Sequence, residues 1–203
     1  MIQQNKSSQL EKLGVLSAAI SGVVTKTLTP VADIRGSLCE IHRDEWVVGT
    51  PRPAQWDFVI TKAHTLRGMH VHQFRFDHIV ILNGRATIGL ADLRRNRPTF
   101  RQSMTIDALG DVPMMILVPP GVAHGICAHT PLTYLYGLTT AWDGSDEDLG
   151  CRYNDPLLRI NWPVEHPVLL PRDENLPDFQ TMIRQFEDAG GVRIQDASPS
   201  QCP

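Results

Sequence analysis

The sequence predicts a mainly all-β domain, an antiparallel sandwich or barrel with a short helix at each end. Three observations carry this. β-branched or alternating apolar runs recur at intervals of about 8–12 residues, the spacing of an all-β domain. They cover 22–28, 36–42, 57–61, 65–70, 78–82, 86–92, 102–106, 114–118, 125–128 and 133–139. Turn formers separate them, among them Asn83-Gly84, Gly110-Asp111 and Pro119-Pro120-Gly121. No helical pattern alternates with these runs, which argues against a parallel βαβ sheet.

The ends read differently. Leu10, Leu13, Leu16 and Ile20 recur at helical spacing and predict a short helix within residues 1–20. Residues 1–21 are therefore an N-terminal extension, and residues 22–179 the barrel. After Trp162-Pro163 the chain becomes proline-rich. Residues 176–189 then predict a terminal helix with Phe179, Met182, Ile183 and Phe186 on one face. Residues 180–203 hold the end of that helix and a tail, of which 196–203 is expected to be disordered. There is no internal repeat.

Composition narrows the function. The 203 residues, 42% hydrophobic and 20% charged, suffice for one domain with a real core. The net charge of -3 argues against a broad nucleic-acid surface, so an anionic ligand needs a few placed arginines. Cys39, Cys127, Cys151 and Cys202 are scattered and form no CxxC pair. That disfavours a zinc ribbon or a disulfide frame and suits a reducing cytoplasm. The apolar run 13–24 falls short of the ~20 residues a membrane span requires, and no basic signal region precedes it, so neither anchor nor export signal is expected. Without a GxGxxG or Walker sequence, a nucleotide is not held by a glycine loop. The acidic run 143–148 reads as a solvated loop.

The densest chemistry lies in Leu66-Arg67-Gly68-Met69-His70-Val71-His72. Strand alternation puts Arg67 and Met69 on one face and His70 and His72 on the other. Asp77 and Asn83-Gly84 follow, and Pro120-Gly121-Val122-Ala123-His124 sets another histidine just after a tight turn. The spacing His70-x-His72, Asp77, Gly84 resembles the first metal-binding motif of cupins, with His124 completing a three-histidine, one-carboxylate set. Such a set suits Zn, Fe, Ni or Mn, and a metal-dependent cupin enzyme is one reading of the chain.

A second resemblance covers more of the sequence. Its segments are Asp33-Ile34-Arg35-Gly36 with Glu40; Leu66-Arg67-Gly68-Met69-His70; Asp92-Leu93-Arg94 with Arg97-Pro98-Thr99-Phe100; and Pro120-Gly121-Val122-Ala123-His124-Gly125. Leu135-Tyr136, Asn154-Asp155-Pro156, Ile160-Asn161-Trp162-Pro163 and Pro171-Arg172-Asp173 follow in order. In this the chain resembles the dTDP-4-dehydrorhamnose 3,5-epimerase family, the RmlC-like branch of the cupins. The resemblance implies a cupin-type double-stranded β-helix, a jelly-roll barrel. It implies a cofactor-free epimerase that inverts C3, C5 or both of a dTDP-4-keto-6-deoxyhexose. It assigns His70 as base, Asp173 as the carboxylate that orients it, and Tyr136 as acid. It places Arg35 on the diphosphate and Glu40, Gln55, Arg67 and His124 around the substrate; Trp142, read from its own aromatic face, is a candidate to stack on the base or sugar, with rim packing as the alternative. It also implies a homodimer in which one subunit's N-terminal strand reaches its neighbour.

The chemistry fits those residue types. A 4-keto group acidifies the hydrogens on C3 and C5; a base takes one, and reprotonation from the other face inverts the carbon. Histidine, with an ordinary pKa of ~6.5, suits the base role, a carboxylate fixes its tautomer, and a tyrosine can return the proton. The enolate oxygen needs a donor or cation, which Arg67 could supply. This chain departs from the family pattern at four places: Asp77 for a lysine, His72 for a glutamine, Trp142 for a second tyrosine and Asp57 for an asparagine. His72 and Asp77 keep the metal reading open. The bland alternatives are a core histidine at 70, a core tyrosine at 136, a loop carboxylate at 173 and a salt-bridged Arg35. A third reading is a non-catalytic sugar-nucleotide or small-molecule binding module, which would bind ligand without exchanging protons.

Overall fold

The computed structural model describes residues 11, 13–142 and 149–193. Twelve strands are present among them. These are β1 (Val15–Ser17), β2 (Val24–Thr27), β3 (Val31–Asp33), β4 (Gly36–Leu38), β5 (Gln55–Thr61) and β6 (Leu66–His70). They continue with β7 (Asp77–Asn83), β8 (Arg85–Asp92), β9 (Ser103–Leu109), β10 (Met114–Val118), β11 (Val122–Ala128) and β12 (Leu132–Leu138). A six-stranded sheet runs β1-β2-β10-β7-β12-β5, a four-stranded sheet runs β6-β11-β8-β9, and β3 and β4 form a separate hairpin. All the strand pairs are antiparallel.

The two larger sheets face each other across the core. Alternation along β7 sends Ile79 and Ile81 inward to meet Ile88 and Leu90 of β8 and Ile126 of β11. Val80 points outward and is buried all the same, under Trp46, Val47 and Leu28 of the N-terminal segment. The outer face of the four-stranded sheet is covered by α2 (Phe179–Asp188), which follows the one-turn α1 (Pro171–Glu174). Phe179, Met182, Ile183 and Phe186 of α2 pack on Met69, Ala91, Leu93 and Ala123. Burying four such side chains is worth on the order of 10 kcal/mol before ordering costs. Asp178 caps this helix by accepting from the Thr181 N–H at 2.7 Å.

One expected element takes another form. Residues 15–17, read as helix from their spacing, form β1, because Val15, Leu16 and Ser17 pair with Lys26, Thr25 and Val24. Val15 is thereby buried against Trp46 and Leu117, and tertiary pairing outweighs a weak local preference. The sheet thus begins inside the stretch read as an extension. Residues 1–10 of that expected helix, the acidic run 143–148, Cys202 and the tail 196–203 lie outside the described residues. No helix among the described residues is long and apolar enough to cross a membrane.

Candidate active site

A cleft of about 440 Å³ opens between the two sheets. Its position depends on a distortion of β6. Arg67 pairs with Ile126 and His70 with His124, so three steps on β6 oppose two on β11. That is a bulge of one extra residue. Gly68 sits in it at φ 120°, and a Cβ there would lie 2.6 Å from Gly125 Cα and from the His124 carbonyl oxygen. Only glycine permits both the dihedral and the approach. The bulge corrects simple alternation: Arg67 and His70 both line the cleft, while Met69 is fully buried on the outer face.

His70 reaches across the fold. Its Nε2 lies 2.8 Å from Asp173 Oδ1 on α1, 103 residues away in sequence. Asp173 is 2% exposed. Burial pushes its carboxyl pKa up. The hydrogen bond and charge of His70, the Gly68 N–H and Arg172 pull it down, and the net shift is downward. An ionised carboxylate only accepts, so His70 donates through Nε2–H and its lone pair resides on Nδ1.

Tyr136 enters from the opposite sheet, on β12. Its hydroxyl lies 2.9 Å from His124 Nε2. Burial, then the negative charge of Asp77, drives the Tyr136 pKa well above the usual phenol value. Burial pushes His124 down to about 3. His72 is pushed well below the ordinary histidine value by burial and by the charge of Arg75. Both imidazoles are therefore neutral at pH 7.

Asp77, His72 and His124 do converge, with candidate ligand atoms within 4.8 Å of one another. His70 is not in that group, being turned to Asp173. The remaining donors suit a metal poorly. The Arg75 guanidinium donates to His72 Nε2 at 2.9 Å and to Asp77 Oδ1 at 3.2 Å. The Arg75 cation thus already occupies the His72 Nε2 lone pair and one oxygen of Asp77, two of the positions a metal would use.

The other expected residues divide. Gln55 spans the mouth, with its amide donating to Asp57 at 2.9 Å and its oxygen accepting from the Trp142 N–H at 2.9 Å. Trp142 is half exposed and lines the cleft. Arg67, tied to Thr61 Oγ1 at 3.1 Å, lines it too. Arg35 and Glu40 do not come to this cleft. Arg35 stands on the β3–β4 hairpin, 85% exposed and paired with Asp33, and Glu40 pairs with Arg43. Arg75 and Arg172 line the cleft without having been singled out from the sequence. The one hint of Arg75 was its place two residues before Asp77, in the short β6–β7 connection.

The profile of the dTDP-4-dehydrorhamnose 3,5-epimerase family matches residues 17–181. The chain is 30% identical over 152 residues to the spore coat polysaccharide biosynthesis protein SpsL of Bacillus subtilis, covering 72% of this chain and 98% of SpsL. It is 25% identical over 188 residues to the dTDP-4-dehydrorhamnose 3,5-epimerase of Sinorhizobium fredii, covering 89% and 96% respectively. Among solved structures, RmlC of Legionella pneumophila in complex with dTDP-4-keto-L-rhamnose superimposes with a TM-score of 0.78. That pair is 24% identical and covers 89% of this chain and 98% of the other. The barrel is thus the expected RmlC-like cupin fold.

Proposed function

This chain belongs to the dTDP-4-dehydrorhamnose 3,5-epimerase family and is an isomerase; on that premise we propose that it inverts C3, C5 or both of a dTDP-4-keto-6-deoxyhexose, with His70 as base and Tyr136 as acid. The observation that carries the proposal is their placement. His70 comes from the four-stranded sheet and Tyr136 from the six-stranded sheet, and both line one cleft. Inversion needs proton removal on one face and return on the other, which two opposed walls provide.

His70 Nδ1 takes the proton, and the resulting imidazolium is stabilised by Asp173 through Nε2–H. Tyr136 stays protonated because of burial and Asp77, and so holds a proton for the carbanion-like carbon. No residue in this scheme needs a cofactor. Arg67, Gln55, His124 and Trp142 bind the substrate around the reacting ring. The test separates the two roles. Tyr136→Phe is expected to wash solvent deuterium into C3 and C5 while losing net inversion. Loss of both in equal measure would remove the acid role from Tyr136.

We further propose a cytoplasmic homodimer. Cys39, Cys127 and Cys151 are free thiols, which suits a reducing compartment. β5 ends the six-stranded sheet and exposes Phe58 (63%) and Ile60 (72%) on one face. An uncovered apolar edge of this kind asks for a partner. The hairpin that carries Arg35 also exposes Val31, Ile34 and Leu38. In the proposed dimer this hairpin crosses to the second subunit and delivers Arg35 to the diphosphate in that subunit's cleft.

A further inference from the structure

We propose that Arg75 is a catalytic residue of this cleft, the cation that stabilises the enolate oxygen formed at C4, and that Asp77 is its positioning residue. The inference rests on the epimerase reading above and names a group which that reading leaves out.

Two arginines among the described residues are buried, Arg75 and Arg94, each 7% exposed. Arg94 is part of the fold's own frame: it binds both oxygens of Asp92 and the Ser21 carbonyl. Arg75 instead lines the active-site cleft together with His70, His124 and Tyr136. It comes from the short connection between β6 and β7, within five residues of the proposed base. Its Nε–H donates to Asp77 Oδ1 at 3.2 Å and its NH2 group donates to His72 Nε2 at 2.9 Å. Asp77 is 1% exposed, so this tether is held inside the protein. The guanidinium keeps its charge at any pH of interest, and its planar N–H fork suits an oxyanion.

The chemistry requires a group of this kind. When His70 Nδ1 takes the proton from C3 or C5, the C–H electron pair becomes the C=C bond of an enolate. The carbonyl π pair moves onto O4, which becomes an oxyanion. Reprotonation of carbon reverses that flow and restores the ketone. Charge thus appears on O4 only in the transition state and intermediate, and a fixed, largely buried cation stabilises it without reorganising. Other cationic side chains at the cleft are less suited. Arg67 is exposed and tied to Thr61, and the Arg172 side chain is 47% exposed beside Asp173. Water screens both more than it screens Arg75.

The experiment follows solvent deuterium wash-in at C3 and C5 of dTDP-4-keto-6-deoxyglucose, with dTDP affinity and thermal unfolding measured on the same samples. Arg75→Gln is expected to lower kcat for wash-in about 10²–10³-fold, the usual loss for one oxyanion donor, with dTDP affinity retained. Arg75→Ala is expected to recover exchange saturably when guanidinium is added at sub-denaturing concentration, which a purely structural role would not allow. If neither variant folds, Arg75→Lys decides. A fall in kcat at unchanged KM supports the proposal, and a rise in KM at unchanged kcat overturns it. Wild-type exchange that persists within about threefold in Arg75→Gln sinks the proposal and leaves the epimerase reading standing, since a threefold change is below 1 kcal/mol. Absence of exchange in the wild type sinks both.

Discussion

Replacing Asp173 by asparagine isolates the contact on which the base depends. The side chain is 2% exposed and its Oδ1 lies 2.8 Å from His70 Nε2, so Asp173→Asn keeps the volume and removes the charge. Two losses follow. The charge-assisted hydrogen bond to the imidazolium is worth about 1.5–3 kcal/mol, which corresponds to roughly 10–150-fold in rate. An asparagine NH2 that donates to Nε2 would also force the ring proton onto Nδ1, the nitrogen that must be bare to take the substrate proton. The same tautomer error costs about 10⁴ in the serine-protease triad. The predicted loss in kcat for wash-in therefore lies between about 10² and 10⁴, with little change in dTDP affinity. The assay is single-turnover exchange in deuterium oxide read by proton NMR, with circular dichroism to establish that the variant is folded. A folded Asp173→Asn protein that loses less than about fivefold would refute the orienting role, because no charged hydrogen bond to the base is that weak.

Three other outcomes follow from the same geometry. Tyr136 must carry its proton to act as acid, so activity falls as pH rises through its pKa; Asp77 raises that pKa, and Asp77→Asn should move the alkaline limb of the kcat profile downward. An unmoved limb would dissociate Tyr136 from Asp77. His78 is fully buried, neither ring nitrogen has a hydrogen-bond partner among the described residues, and burial, then the nearby His42, lowers its pKa to about 4. The unfolded chain then binds the extra proton, so stability is complete above about pH 6.5 and declines toward pH 4. The slope approaches 1.4 kcal/mol per pH unit for this group. His78→Leu should flatten the fall of Tm between pH 6.5 and 4, and an unchanged slope would count against this assignment. Finally, mixing equal amounts of Arg35→Ala and His70→Ala subunits should restore about a quarter of wild-type activity if Arg35 serves the neighbouring cleft, since half of randomly paired dimers then hold one intact site. No recovery on mixing would place Arg35 in its own cleft or in none.

Strand-to-strand alternation and turn residues made the two-sheet architecture legible, because each run needs only its own neighbours to reveal a buried face. The terminal helix was legible for the same reason, from Phe179, Met182, Ile183 and Phe186. What local pattern could not reveal arises from long-range contacts. The bulge that turns Arg67 into the cleft exists because Gly68 passes Gly125, 57 residues on in the chain. β1 is a strand because Val15–Ser17 finds β2, although its own spacing suits a helix. Of the residues singled out from the sequence, His70, Asp173, Tyr136 and His124 meet in one place, and Arg67, Gln55 and Trp142 surround it. Arg35 and Glu40 stay outside, since an exposed hairpin states nothing in its sequence about which cleft it reaches. Arg75 escaped notice because one arginine in a short loop has no periodicity. Its meaning comes from burial and from two acceptors, His72 and Asp77, that looked like metal ligands when considered without it.

In the proposed reaction His70 removes a carbon-bound proton from a nucleotide-linked 4-keto-sugar. The most direct measurement is deuterium incorporation at C3 and C5 of dTDP-4-keto-6-deoxyglucose by wild-type protein and by His70→Ala. Exchange is expected at one or both carbons with the wild type and none above background with His70→Ala. Exchange that survives the loss of His70 would remove His70 from the role of base.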